Sequence, residues 1–332
     1  MKVLVTGAGG FIGFHLAKEL IKRKYEVRGL FMPDEEAEHL EKIGVEIFRG
    51  NLTKPDTLRG VTKEIDTVYH LATRTLDWGT HKLFEQIMVD GTQNLLAEST
   101  GNISRFIYFS SIAALGFGRA LAGLNEDAER IKSGIPYCDT KIVAEDLVKD
   151  FCGKRQIAYT IIRPANVFGP GSVWVRDIVD AFLRGPLPLI NGGNEPGAFV
   201  YIQNLVDGTI IAAESEKSVG KTYHFRDDYP ITWGEYLKTL GQWVGKKPLG
   251  NISFTLAWQL GWFLEKTLTP FGIRPPMTRL AAGVMGQNND VDNRRARQEL
   301  GWKSHVSQDE AMGEIETWVQ AHYRIPDTEN RQ

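Results

Sequence analysis

The sequence predicts an α/β fold: a doubly wound parallel sheet followed by a smaller, mixed C-terminal lobe. Three observations carry this. Up to about residue 163, short runs of strand formers alternate with helical segments, the signature of strand–helix–strand units. The first strand runs straight into a glycine-dense turn and then a helix. The alternation stops near Gly171, and the remainder of the chain is less regular. The 332 residues are 42% apolar, enough to bury the core of one large domain or two. The expected division is residues 1–170, a nucleotide-binding unit to which later segments return; 171–325, mainly a substrate lobe; and 326–332, a loose polar tail.

The predicted strands are Lys2–Thr6, Glu26–Phe31, Val45–Arg49, Thr67–Leu71, Arg105–Ser110 and Tyr159–Arg163. The predicted helices between them are Phe11–Lys24, Glu35–Ile43, Lys54–Gly60, Lys82–Thr100 and Tyr137–Gly153. The first helix places Ile12, Leu16, Leu20 and Ile21 on one apolar face. Between first strand and first helix stand Gly7, Gly10 and Gly13. Gly7 permits a tight turn, Gly10 lets backbone N–H groups approach a pyrophosphate, and Gly13 lets the helix pack close to the strand. The helix N-terminus adds partial positive charge. In this context the glycines predict a dinucleotide site at the carboxyl ends of the strands.

The form T-G-x-x-G-x-x-G, with Phe11-Ile12-Gly13, resembles the extended branch of the short-chain dehydrogenase/reductase superfamily. The resemblance implies a Rossmann sheet and a nicotinamide dinucleotide held by Gly7, Gly10, Phe11, Ile12 and Gly13. At the end of the second strand, Phe31 stands at the usual Asp position and Met32 at the usual Arg position. Both selectors are missing, and the lack of a basic residue in that turn leans towards NAD, while Arg28 leaves NADP open. Gly50-Asn51-Leu52 resembles the branch's adenine-binding G-D-L, with Asn51 in place of the acid. Leu71, Ala72 and Thr73 follow His70, like the segment beside the cofactor ribose. His70, inside a buried strand, reads as a structural hydrogen-bonding residue. Helix Lys82–Thr100 departs from the family's Asn at Val89 or Asp90, so it supports no role in the site.

The chemistry rests on three residues. The fifth strand ends in Ser110-Ser111, and Tyr137-Cys138-Asp139-Thr140-Lys141 places Tyr137 and Lys141 on one helix face. A tyrosine with a pKa of ~10 is a poor base at neutral pH. A lysine ammonium at roughly 4 Å and an effective dielectric of about 20 favours the phenolate by on the order of 4 kcal/mol before desolvation. That would bring the phenol near working pH. Ser111 would hold the substrate oxygen, Tyr137 would move its proton, and Lys141 would also reach the nicotinamide ribose. Arg163-Pro164-Ala165-Asn166-Val167-Phe168-Gly169-Pro170-Gly171 resembles a loop of the same branch, implying Pro164 and Val167 at the nicotinamide and Asn166 facing substrate. The string from Phe199 to Val206 and the closing Asp292–Trp302 extend the resemblance nearly end to end.

Substrate choice belongs to the C-terminal lobe. The apolar helix Phe254–Leu264, with Trp258 and Trp262 one turn apart, and the stretch Asp77-Trp78-Gly79 resemble the 3β-hydroxysteroid and sterol dehydrogenases, implying a hydrophobic small molecule and Trp78 in its pocket. The helix reads as core or dimer packing or as a membrane-surface element; Gln259, Glu265 and Lys266 speak against a span. The first reading of function is an oxidoreductase interconverting a secondary alcohol and a ketone on a sterol-like or long-chain β-hydroxy substrate. The second is a nucleotide-sugar epimerase or dehydratase with bound NAD, for which Arg176, Arg279 and Arg294 are candidate diphosphate ligands. The third is a dinucleotide sensor without chemistry. A net charge of −2 gives no nucleic-acid footprint, and no metal is expected. Two cysteines, Cys138 and Cys152, and an opening without a signal-peptide pattern suggest a cytoplasmic protein. The family's habit of pairing through a four-helix interface implies a homodimer built on Lys82–Thr100 and Tyr137–Gly153.

Overall fold

The computed structural model describes residues 1–99, 101 and 103–323; the expected tail 326–332 lies outside them. In chain order the elements are β1 (Lys2–Thr6), α1 (Phe11–Lys22), β2 (Glu26–Phe31), α2 (Glu38–Glu41), β3 (Glu46–Arg49), β4 (Thr67–His70), α3 (His81–Glu85), α4 (Gly91–Glu98), β5 (Arg105–Phe109), α5 (Pro136–Arg155) and β6 (Ala158–Pro164). Then come β7 (Asn166–Phe168), α6 (Val173–Arg184), β8 (Leu189–Ile190), β9 (Phe199–Tyr201), α7 (Ile202–Glu214), β10 (Lys221–Phe225), α8 (Trp233–Trp243), β11 (Asn251–Ile252), α9 (Phe254–Leu268), α10 (Arg279–Gly286), α11 (Arg294–Leu300) and α12 (Gln308–His322).

Seven strands form one parallel sheet in the order β10-β6-β5-β4-β1-β2-β3. The order reverses between β1 and β4, the switch point where such sheets bind ligands. Helices cover both faces. Leu16 and Leu20 of α1 share one core with Leu205 and Ile210 of α7. Leu95 and Leu96 of α4 share the other with Ala144 and Val148 of α5. Burial on both sides explains why the strands read as continuous apolar runs. β10 returns to the sheet edge after the first part of the C-terminal lobe, so the sheet is not contiguous in sequence.

The lobe uses two small parallel pairs, β7 with β9 and β8 with β11. Its core centres on Phe168, Phe199, Trp233 and Tyr236, in mutual ring contact. α9 packs on α10 through the small residues Ala257 and Gly261; a Cβ on Gly261 would lie 2.8 Å from the backbone at Thr278–Arg279. Trp258 packs inward against Gly118 and Gly283, whereas Trp262 is half exposed, so the two tryptophans part company. Among the described residues no helix is long and apolar enough to cross a membrane.

Three expected helices differ. Glu35–Ile43 shrinks to α2, because Glu35 closes a turn on Met32 instead of starting a helix. Lys54–Gly60 becomes a single 3₁₀ turn over Pro55–Leu58, the proline disfavouring helix at Lys54. Lys82–Thr100 divides into α3, a π-helical turn over Gln86–Asp90, and α4, with Thr100 outside the described residues.

The opening turn depends on close backbone approach. Gly7 has φ +67° and its carbonyl accepts the Gly10 N–H at 3.0 Å. A Cβ on Gly13 would lie 2.1 Å from that same carbonyl oxygen. Gly13→Ala is therefore expected to lose about 1–3 kcal/mol of stability in a urea titration, as overpacking does. Gly153, inside α5, supplies the opposite case, because a Cβ there would meet nothing within 4 Å. Gly153→Ala should gain about 0.4–1 kcal/mol.

Candidate active site

The strand ends of the sheet open into one cleft of about 970 Å³. Its wall follows the strand order: Asn51 and Leu52 after β3, Phe31 and Met32 at β2, the glycine turn after β1, Leu71–Thr73 after β4, Ser110 and Ser111 after β5, and Pro164 at β6. At about 4.8 Å per strand this row spans roughly 24 Å, enough for an extended dinucleotide. Val167 and Asn166 of β7 complete that wall, and Tyr137 and Lys141 of α5 lie in it.

Tyr137 sits in the first turn of α5, next to Pro136 at the helix start. Its ring meets Phe84 edge-on at 6.4 Å. The Ser111 hydroxyl is within hydrogen-bonding reach of the phenol and accepts the Ala113 N–H at 3.1 Å. Lys141, 2% exposed, donates to the Phe109 carbonyl at 2.8 Å, and its Nζ lies 5.7 Å from the Tyr137 ring centre. Ser110 is buried with its hydroxyl beside Glu145. Of the two serines, Ser111 is the one facing the phenol.

The electrostatics correct one expectation. Burial pushes the Tyr137 phenol up to about 12, and the Ser111 hydrogen bond only partly opposes it. Burial likewise brings the Lys141 ammonium down to about 7, against the pull of Glu145. Desolvation dominates, so the phenol stays protonated.

The dinucleotide end fits the group. Gly10 is the N-cap of α1, no side chain among the described residues caps that helix, and Phe11, Ile12 and Gly13 face the cleft. Such an uncapped N-terminus leaves backbone N–H groups for an anion. Thr73 Oγ1 is buried and finds no partner among the described residues. Asn51 Oδ1 accepts from the Thr53 N–H and hydroxyl, both at 2.9 Å, which leaves its amide N–H₂ free for an adenine edge. Arg28, by contrast, cannot serve a 2′-phosphate. Its guanidinium pairs with Glu46 at 2.7 Å and with carbonyls of Val61 and Lys63, away from the cleft.

His70 bridges two threonines. The Thr92 hydroxyl already donates to the Met88 carbonyl at 2.7 Å, so it accepts from His70 Nε2 at 2.9 Å. Nδ1 then accepts from the Thr6 hydroxyl at 2.7 Å, whose oxygen also receives the Leu71 and Ala72 N–H groups. Burial brings the imidazole down to about 3, so it stays neutral. Its work is to hold β4 and the following loop against β1.

Trp78 is the one expected site residue that does not line the cleft. Its loop is pinned at Asp77, which accepts from Thr278 at 3.0 Å and pairs with Arg274 at 3.2 Å. Asn166 lines the wall, but its amide donates to the Gly197 carbonyl at 2.8 Å. Sequence reasoning missed Glu35, the π-turn residues Gln86, Ile87 and Asp90, and the apolar Phe117, Trp174, Leu280 and Val284, all in the cleft wall. The departure at Val89–Asp90 marked the π-turn only as an anomaly. The apolar residues carried no motif.

The model of the NAD dependent epimerase/dehydratase family matches residues 3–225. A 4-hydroxy-2-methyl-3-oxo-4-farnesyl-3,4-dihydroquinoline-1-oxide ketoreductase from Stigmatella aurantiaca is 28% identical, the alignment covering 94% of this chain and 95% of that protein. A 3-beta-hydroxysteroid dehydrogenase from Mycolicibacterium neoaurum is 27% identical over 94% of this chain and 90% of that protein. The UDP-glucuronic acid 4-epimerase of Bacillus cereus, solved with UDP-glucuronic acid and NAD, superposes with a TM-score of 0.75 at 23% identity, covering 97% of this chain and 100% of the other; it shares the fold. With the glycine turn, the sheet and the cleft in place, the chain belongs to the NAD dependent epimerase/dehydratase family and is an NAD(P)-dependent oxidoreductase of the extended short-chain dehydrogenase/reductase type.

Proposed function

We propose that this oxidoreductase interconverts a ketone and a secondary alcohol on a hydrophobic, sterol-like or long-chain β-oxo substrate. One observation carries the reading. Among the described residues lining the cleft, Lys141 is the only cation, and its Nζ is engaged by the Phe109 carbonyl. The wall contributed by the C-terminal lobe and the loop after β5 is apolar: Phe117, Val173, Trp174, Leu280 and Val284. A nucleotide-sugar diphosphate would need cations there. The three arginines considered for it are elsewhere: Arg279 pairs with Glu265 at 2.7 Å, Arg294 with Asp292 at 2.6 Å, and Arg176 lies outside the wall. The farnesyl-bearing and steroid substrates in the relatives' names support an apolar pocket.

In this reading the protonated phenol is the acid of ketone reduction. Ser111 donates a hydrogen bond to the substrate carbonyl, and Tyr137 gives up its proton as the alkoxide forms. A bound nicotinamide dinucleotide would supply the hydride. The phenolate left behind faces the Lys141 ammonium, whose Nζ lies 5.7 Å from the ring centre, and a nearby opposite charge favours the ionised form. The lysine's charge thus matters after proton transfer more than before it.

Two outcomes are expected. Tyr137→Phe should lower ketone-dependent NADH oxidation at 340 nm by roughly 10²–10⁴-fold while NADH still binds; full turnover in that variant would remove the mechanism. Lys141 is charged below about 7 and neutral above it. Reductive kcat/KM, which reports the free enzyme, should therefore be flat at acid pH and fall as pH rises through about 7. In Lys141→Arg, whose charge persists, any residual rate should lack that inflection.

A further inference from the structure

At the end of β2, where a dinucleotide lying across the glycines would place its adenosine ribose, the strand itself offers no polar group. Phe31 is fully buried and Met32 is apolar. A carboxylate nevertheless reaches this point. After Pro33 the chain folds back: the Glu35 N–H donates to the Met32 carbonyl at 3.2 Å, and the Met32 N–H donates to Glu35 Oε2 at 3.0 Å. The other oxygen, Oε1, lies against Gly9, where an added Cβ would come within 2.1 Å of it. The carboxylate therefore occupies the space that glycine leaves open, between the phosphate turn and β2, and it lines the cleft. No cation among the described residues pairs with it. The neighbouring Arg49 spends Nη1 on the carbonyls of Met32 and Glu35, lies 5.8 Å from the Phe31 ring centre, and is not in the cleft wall.

We infer that Glu35, delivered by this back-folded turn, is the acceptor for the adenosine ribose hydroxyls and makes the chain selective for NAD(H) over NADP(H). The inference rests on the reading of the cleft as a dinucleotide site. Oε2 is fixed by the Met32 amide, which orients Oε1 without a flexible search. A vicinal diol donates two O–H groups to such a carboxylate. A 2′-phosphate would bring its charge against the Glu35 carboxylate; Arg28 is committed to Glu46 and Val61, and Arg49 braces the back of this same turn through its carbonyls, outside the cleft wall. Position 9 has to remain glycine for the carboxylate to sit there.

Calorimetric titration of the full chain with NADH, NADPH, 5′-AMP and adenosine 2′,5′-bisphosphate separates the alternatives. Hydrogen bonds to a charged acceptor predict NADH binding roughly ten- to a hundredfold tighter than NADPH, and 5′-AMP tighter than the bisphosphate. Glu35→Gln keeps a carbonyl for the Met32 amide and so preserves the turn, which an unchanged melting midpoint without nucleotide would verify. In that variant NADH should weaken by about tenfold, NADPH should improve, and the preference should narrow for fragments as for whole cofactors. A wild-type preference for NADPH, or an unchanged ratio in Glu35→Gln, overturns the role of Glu35 and leaves the dinucleotide site standing. No binding of any of the four ligands overturns both.

Discussion

The contact between the Gly7 carbonyl and the Cα of Gly13 sets the geometry on which the site depends. There is no room for a side chain between them, so α1 is drawn onto β1 with its N-terminus aimed at the strand ends. Everything polar about the phosphate end stems from that approach, since backbone N–H groups, not side chains, face the cleft there. The neighbouring β1–β4 seam is fixed by one neutral imidazole. Thr6 and Thr92 settle the tautomer of His70 between them, and the same Thr6 oxygen ties down Leu71 and Ala72. A charged histidine at this place would lose the acceptor nitrogen that Thr6 needs.

The reaction end is governed by desolvation. A phenol and an ammonium are both enclosed, and burial penalises the charged form of each. That penalty moves the two groups in opposite directions, Tyr137 up and Lys141 down. The pair is then poised to exchange stabilisation only when charge appears during reaction. In the proposed reaction the apolar wall from Phe117, Trp174, Leu280 and Val284 would serve both purposes, admitting an oily substrate and keeping the dielectric low where the proton moves.

What the sequence made legible is what local pattern encodes. All six strands of the N-terminal half, the glycine turn, the paired serines and the Tyr137–Lys141 spacing are properties of short segments, and parallel strands buried on both faces read clearly. The cleft's apolar wall was not legible, because Leu280 and Val284 on α10 reach it through tertiary packing, α10 lying on α9 and against the Phe117–Gly118 loop. Trp78 misled for a related reason. Its motif is local, but the neighbouring Asp77 is held by Thr278 and Arg274 from far along the chain. Glu35 sits where periodicity suggested a helix start, and only the Met32 turn directs its carboxylate towards Gly9. The expected acidification of the phenol failed because a charge count carries no information about solvent exclusion.

One buried ion pair links the fold to the chemistry. Arg163, read in sequence only as part of a loop motif, grips Glu145 with two bonds of 2.8 and 2.7 Å, and both side chains are almost wholly enclosed. The pair locks α5 to β6. Arg163 holds the Glu145 carboxyl below its usual range despite burial, so a full negative charge persists one helical turn beyond Lys141. That charge raises the lysine against the desolvation that lowers it. Removing Glu145 would leave the Arg163 guanidinium an uncompensated buried charge, a loss of about 3–5 kcal/mol, whereas Glu145 keeps a second cation, Arg130 at 3.3 Å. The carboxylate that fixes α5 to the sheet is therefore also the one that keeps the lysine within reach of its charged form. Stability and protonation at this site are coupled through a single residue that does not line the cleft.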